Sequence, residues 1–150
     1  MRIKLEVSAK RYEEAATFLA AHGIETSDDG EFVLRERGRF PDRLTVRDQR
    51  SGERVLLPAS EVVCVESFRH AVEVVTQTGV YRAGERLYRL LALLDPEEFL
   101  RISNSVVIAK SKVARIAPTL SMKFILTLSN GKKVDVTRSY YYIFKEAFGL

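Results

Sequence analysis

The sequence predicts a mainly β protein, built as a sandwich or barrel and preceded by a small strand–helix–strand unit, so the class is α+β overall. Three observations predict it. From Arg43 onward, short apolar segments with period-two alternation follow one another, separated by turn signals. Before residue 43 the texture differs, with one capped helical pattern lying between two strand patterns. The 150 residues are 46% hydrophobic and 29% charged, which describes a folded globular chain with room for one core and a small appendage.

The opening "RIKLEV" alternates with period two and reads as a strand. In "SAKRYEEAATFLAAHG", Ser8 is placed to cap a helix, Gly23 to end it, and Ala15, Phe18, Leu19 and His22 fall near one face. "TSDDGEFVLRE" then turns at Asp29-Gly30 into a second strand. "RGRFPDR" marks a junction, dividing an N-terminal α/β unit, residues 1–42, from residues 43–150. Beyond it "RLTVRD", "ERVLLPA", "EVVCVES", "AVEVVTQ", "VYRAG", "SVVIA", "KVARIAPT", "KFILTLS" and "KKVDVT" read as strands. Gln49–Gly52, Thr78-Gly79 and Asn130-Gly131 punctuate them, the last being the strongest hairpin signal. Leu87–Leu94 and Tyr140–Phe148 read as helices.

Charge is distributed unevenly. Residues 1–42 carry a net −2 and residues 43–150 a net +6. Within residues 101–145, nine cations stand against Asp135 alone. Such a surface is either simply solvated or faces an anion, nucleic acid or an anionic membrane. No apolar run approaches the length of a membrane span and the N-terminus has no signal-peptide pattern, so neither membrane insertion nor secretion is expected. The single cysteine, Cys64, excludes an internal disulfide and suits the cytoplasm.

Further motifs carry a resemblance. "EVVCVESFRHAVEVV", "LLALLDPEEFLRISNSVVIAKSKVARI" and "FILTLSNGKKVDVTRSYYYIFKEAF" resemble, in order and spacing, the LytTR type of bacterial DNA-binding domain over about residues 53–150. The chain departs from that pattern at Ser103, where His is frequent, at Ala109, where Asn often closes the strand, and at Ser139, where a second Arg is frequent. The resemblance implies an elongated, multi-sheet β sandwich with short helices that offers loops, not a recognition helix, to the DNA major groove. It implies base contacts from Arg69 and His70, from Arg101 and Asn104, and from Arg138, with Lys110, Lys112, Lys132 and Lys133 near phosphates. The chemistry fits: an amide bonds bidentately to an adenine edge, a guanidinium to guanine O6 and N7, and ammonium groups to phosphate.

Each residue also has a plainer role. Asn104 could cap a turn, Arg138 could pair with Asp135, and His70 could be an ordinary surface imidazole. Arg101 could brace the fold through neighbouring carbonyls, and Lys132 and Lys133 could be routine hairpin lysines. No catalytic residue, metal site or cofactor is expected: His22 and His70 are the only histidines, Cys64 is flanked by valines, and there is no glycine-rich phosphate loop. Asp28 and Asp29 read as turn residues, because a receiver domain does not fit before Arg43.

The sequence thus predicts a sequence-specific transcriptional regulator without its own receiver domain. Its expected partners are double-stranded DNA and, on repeated operator sites, a second copy of the chain. The alternative is a protein–protein interaction module that kept the fold and lost specific DNA binding. A membrane-surface role ranks below both, since "SYYYIFKEAFGL" offers aromatics with only Lys145 as a cation.

Overall fold

A computed structural model describes residues 1–36 and 40–150, and the "RGR" of the expected junction, residues 37–39, lies outside the described residues. The chain forms two compact units, Met1–Phe40 and Pro41–Leu150.

In the first unit, β1 (Arg2–Glu6) is central and runs parallel to both β2 (Glu25–Thr26) and β3 (Phe32–Arg35). The helix α1 (Ala9–Ala21) connects β1 to β2. Ser8 stands at its N-cap but makes no side-chain capping bond; its backbone N–H donates to Glu36 Oε2 at 2.9 Å instead. Gly23 follows the helix with a left-handed φ of +74°, the conformation that favours glycine. Gly30 is required for another reason: a Cβ there would overlap the backbone of Ile3 and Lys4. The expected apolar helix face is only partly realised. Leu19 is buried, whereas Phe18 is 64% exposed and lies against the His22 ring, with centroids 4.5 Å apart. The two-residue β2 had no alternating pattern to reveal it.

The second unit is mainly β. A seven-stranded antiparallel sheet contains β4 (Arg43–Asp48), β5 (Arg54–Pro58), β6 (Val62–Phe68), β7 (Ala71–Thr76), β8 (Val80–Ala83), β9 (Phe99–Arg101) and β10 (Val106–Ala109). Its spatial order is β5-β4-β8-β7-β6-β10-β9. A separate antiparallel sheet joins β11 (Val113–Pro118), β12 (Phe124–Leu128) and β13 (Lys133–Val136). Two short helices complete it, α2 (Leu87–Leu93) and α3 (Tyr141–Phe148), the latter entered through a 3₁₀ turn at Arg138–Tyr140.

The large sheet is covered on both faces, so there are two cores. On one face Val65, Val74 and Val107 pack with Leu44, Leu57 and α2 residues Leu87 and Leu90. On the other, Val63, Cys64, Val75 and Ile108 pack against Phe124, Leu126, Val136 and Phe144 from the small sheet and α3. Strands buried on both faces lose the polar half of their alternation, which is why "VVCV" and "VVIA" are continuous apolar runs. A register irregularity between Val62 and Cys64 turns consecutive residues Val63 and Cys64 into the same core. Gln77 and Ser129 tie the two sheets together: Gln77 Nε2 donates to the Ser129 carbonyl at 3.0 Å and Ser129 Oγ to Gln77 Oε1 at 2.9 Å.

Asn130-Gly131 forms the expected hairpin. Gly131 has φ +84° and its N–H donates to the Leu128 carbonyl at 2.9 Å, a three-residue turn with glycine in the left-handed position.

Candidate nucleic-acid interface

The β6–β7 register pairs Phe68 with Ala71 and leaves Arg69 and His70 as a two-residue turn. Arg69 has φ +57°, uncommon for a side-chain-bearing residue, and its guanidinium lies over the Phe68 ring, 5.6 Å from the centroid. Both turn residues are exposed. With Glu85 and Arg86 of the β8–α2 loop they line a cavity of about 600 Å³.

The second element is the loop Ile102–Ser105. It is closed by the Ile102 N–H donating to the Val106 carbonyl at 3.0 Å. Arg101 clips it from below, its Nε donating to the Ser103 carbonyl at 3.0 Å and its Nη2 to the Asn104 carbonyl at 2.6 Å. Ser103 Oγ accepts from the Ser105 N–H at 3.2 Å, so the turn is satisfied by its own side chains. Asn104 is left exposed at the tip.

Arg138 opens the third. Its side chain is exposed and forms no ion pair with Asp135; its Nη2 reaches the Ser121 carbonyl at 3.5 Å.

These three elements lie together. Antiparallel pairing of β6 and β10 sets Val106 opposite Glu66, which brings the start of β10 to the end of β6. The Ser67 N–H donates to the Ser105 carbonyl at 2.8 Å, joining the first two elements. The Thr137 N–H donates to the Ile102 carbonyl at 3.0 Å and Tyr140 Oη to Asn104 Oδ1 at 3.2 Å, joining the second and third. Between β13 and the Asn104 loop runs a groove of about 590 Å³ lined by Glu66, Asn104, Lys133, Asp135 and Ser139.

The lysines divide. Lys133 is exposed beside the groove. Lys132 Nζ lies 3.0 Å from Glu66 Oε2, and hydrogen bonding to Glu66 holds its pKa above the ordinary lysine value. Lys110 and Lys112 form a 3₁₀ turn after β10, at the opposite end of that strand from Asn104. The Lys110 N–H donates to the Glu98 carbonyl, and the Lys112 carbonyl accepts from the Ser129 N–H, both at 2.8 Å. Cys64 is fully buried, and burial pushes its thiol pKa up to about 12, so no thiolate is present near neutral pH.

A family model described as the LytTr DNA-binding domain matches residues 52–149. The chain belongs to the LytTR family. A solved LytTr DNA-binding domain from Bacillus cereus has a TM-score of 0.68 to this chain, covering 73% of it and 99% of that domain at 22% identity, and so shares the LytTR fold. Sensory transduction protein LytT of Enterococcus faecalis is 32% identical over 118 residues, which is 77% of this chain and 47% of that protein; the chain thus spans about half of its relative's length. The LytTR match begins after β4, although β4 pairs with both β5 and β8 inside the large sheet.

In this LytTR domain the topology adds residues that the motifs did not single out. Arg86 lines the cavity beside Arg69 and His70, and the signal was the cluster Arg82, Arg86 and Arg89 in "YRAGERLYR". Lys123 ends the β11–β12 turn, close to Arg138 through the Ser121 contact. Tyr140 holds the Asn104 amide, a contact across 36 residues that only the fold reveals.

Proposed function

We propose that this LytTR-family chain is a sequence-specific DNA-binding transcriptional regulator that reads the major groove through three loops and needs no receiver domain to do so. The observation that carries the reading is the joining of the Arg69-His70 turn, the Asn104 loop and the Arg138 turn by the Ser67–Ser105, Ile102–Thr137 and Asn104–Tyr140 hydrogen bonds. Their side chains are the types that read base edges: amide for adenine, guanidinium for guanine. Lys133, Lys123 and Arg86 supply phosphate contacts around them, because each is exposed near one of the three elements. Lys110 and Lys112 sit apart and serve a flanking phosphate or none. Arg101 serves the loop in preference to a base, its guanidinium being engaged with two carbonyls.

The protein works in the cytoplasm, where the DNA is, and pairs with a second copy on repeated operator sites. Residues 1–42 take no part in base reading; they serve pairing, bracing or regulation.

Selection of bound duplexes from a random pool tests the reading. An enriched motif supports it, together with binding that weakens steeply with salt; about 6 phosphate contacts give a slope of log K on log salt near −5. No enrichment and a flat salt response would refute it.

A further inference from the structure

We propose that Tyr140 and Arg101 are positioning residues for Asn104, and that together they set its preference for adenine over guanine. The inference rests on the reading of Asn104 as a base contact.

A side-chain amide has two faces that differ only by a flip, one presenting the acceptor where the other presents the donor. Adenine offers the N6 amino donor and the N7 acceptor in the major groove, whereas guanine offers the O6 and N7 acceptors. An amide free to flip presents its donor to either atom and discriminates poorly. In this chain Tyr140 Oη donates to Asn104 Oδ1 at 3.2 Å, and because a phenol donates better than it accepts, the contact biases the amide toward the flip that keeps its oxygen on the hydroxyl. One lone pair of Oδ1 stays free for the adenine amino group, and Nδ2 has no protein acceptor among the described residues. The amide is therefore held with one acceptor site and its donors available, the complement of adenine.

The backbone beneath it is fixed separately. Arg101 donates to the carbonyls of Ser103 and Asn104 at 3.0 and 2.6 Å, a two-point contact that the planar guanidinium makes and a lysine ammonium does not reproduce. Tyr140 is itself placed by the Thr137–Ile102 bond, which docks the Arg138–Tyr140 turn on the same loop. Orientation of one reading group thus depends on the element that carries another, Arg138.

The test uses the full chain and the duplex most enriched from a random pool, with each A·T pair replaced in turn by G·C. Wild type, Tyr140→Phe, Asn104→Ala and the double variant are compared by their affinity ratio for A·T over G·C at the position that Asn104→Ala makes indifferent. Tyr140→Phe should lower that ratio by about fivefold, the worth of one hydrogen bond, and leave affinity for a scrambled duplex unchanged. In the Asn104→Ala background it should have no further effect. Arg101→Lys should lower the same ratio, because the ammonium cannot hold both carbonyls as the guanidinium does. An unchanged ratio in Tyr140→Phe, or an equal loss in the Asn104→Ala background, would overturn the proposal. An intact ratio in Arg101→Lys would overturn its part. If Asn104→Ala leaves every ratio intact, Asn104 is not a reader and the proposal falls with that reading. The free protein gives a second arm: Tyr140→Phe should shift the NMR signals of the Asn104 side-chain amide, and unchanged signals would refute the contact whatever the DNA result.

Discussion

Lys132 Nζ and Glu66 Oε2 stand 3.0 Å apart, while the neighbouring Lys133 has no carboxylate partner among the described residues. Two adjacent lysines in one hairpin therefore differ in what they can offer DNA. A paired ammonium gives up an intramolecular contact to meet a phosphate; an unpaired one does not. Lys133→Ala should lower the salt slope by about 1, and Lys132→Ala by clearly less. Neither should change discrimination between operator and scrambled duplex. Salt titrations of both variants check this, and equal drops in slope would place Lys132 on phosphate as well.

Burial governs Cys64. With its thiol pKa pushed up to about 12 and both flanking valines in the cores, the native protein should resist a thiol-reactive disulfide reagent at neutral pH. Labelling should appear only as the protein unfolds in denaturant. Fast stoichiometric labelling of the native chain would show that the second core opens readily.

The first unit should loosen in acid. The Arg35 guanidinium donates to Glu6 Oε2 at 2.9 and 2.6 Å and holds the Glu6 carboxyl below its ordinary pKa. A depressed folded pKa means that the unfolded chain takes up the proton first as pH falls. The stabilisation is thus complete above the ordinary glutamate range and is lost as pH drops through the folded value. Amide signals of β1 and β3, followed by NMR from about pH 6 to about pH 3, should show this unit loosening, and Glu6→Gln should remove the dependence on that proton. Retention of the same acid transition in Glu6→Gln would assign it to another group.

Phe144 is fully buried, and its ring lies 5.0 Å from that of Phe124 and 4.5 Å from that of Phe148. It anchors α3, whose N-terminal end continues from the Arg138–Tyr140 turn. Phe144→Ala should cost about 3–5 kcal/mol in urea unfolding. A change much smaller than that would mean that α3 contributes little to the second core.

The strands were legible where burial leaves a pattern. β4 alternates exposed and buried residues as "RLTVRD" does in sequence, because its polar positions face water. β6 and β10 were legible as apolar runs because both faces are covered. β9 leaves no strand pattern in the sequence: three residues are too few for periodicity, and pairing with β10 defines it. Phe18 falls near the helix face that carries Leu19, but the pattern does not say how wide a face is covered. The interface divides in the same way. Asn104 and Arg138 stand in contiguous motifs, whereas the separation of Lys110 and Lys112 from Asn104 follows from a four-residue strand lying between them. Adjacency in sequence across a strand is distance in space, roughly 13 Å for four residues. Arg86 had a signal in the arginine cluster of "YRAGERLYR", whereas Lys123 and Tyr140 needed the topology outright.

The central claim is that Asn104 and Arg138 read bases from neighbouring loops. The measurement that tests it most directly is a competition assay at one fixed salt concentration, the enriched duplex against its scrambled counterpart, for wild type, Asn104→Ala and Arg138→Ala. Both side chains are exposed, so thermal stability should be nearly unchanged in each variant. Each substitution should reduce the preference for the enriched duplex by about 1–3 kcal/mol and relax selectivity at its own base pair. Full retention of the wild-type preference by both variants would contradict the claim.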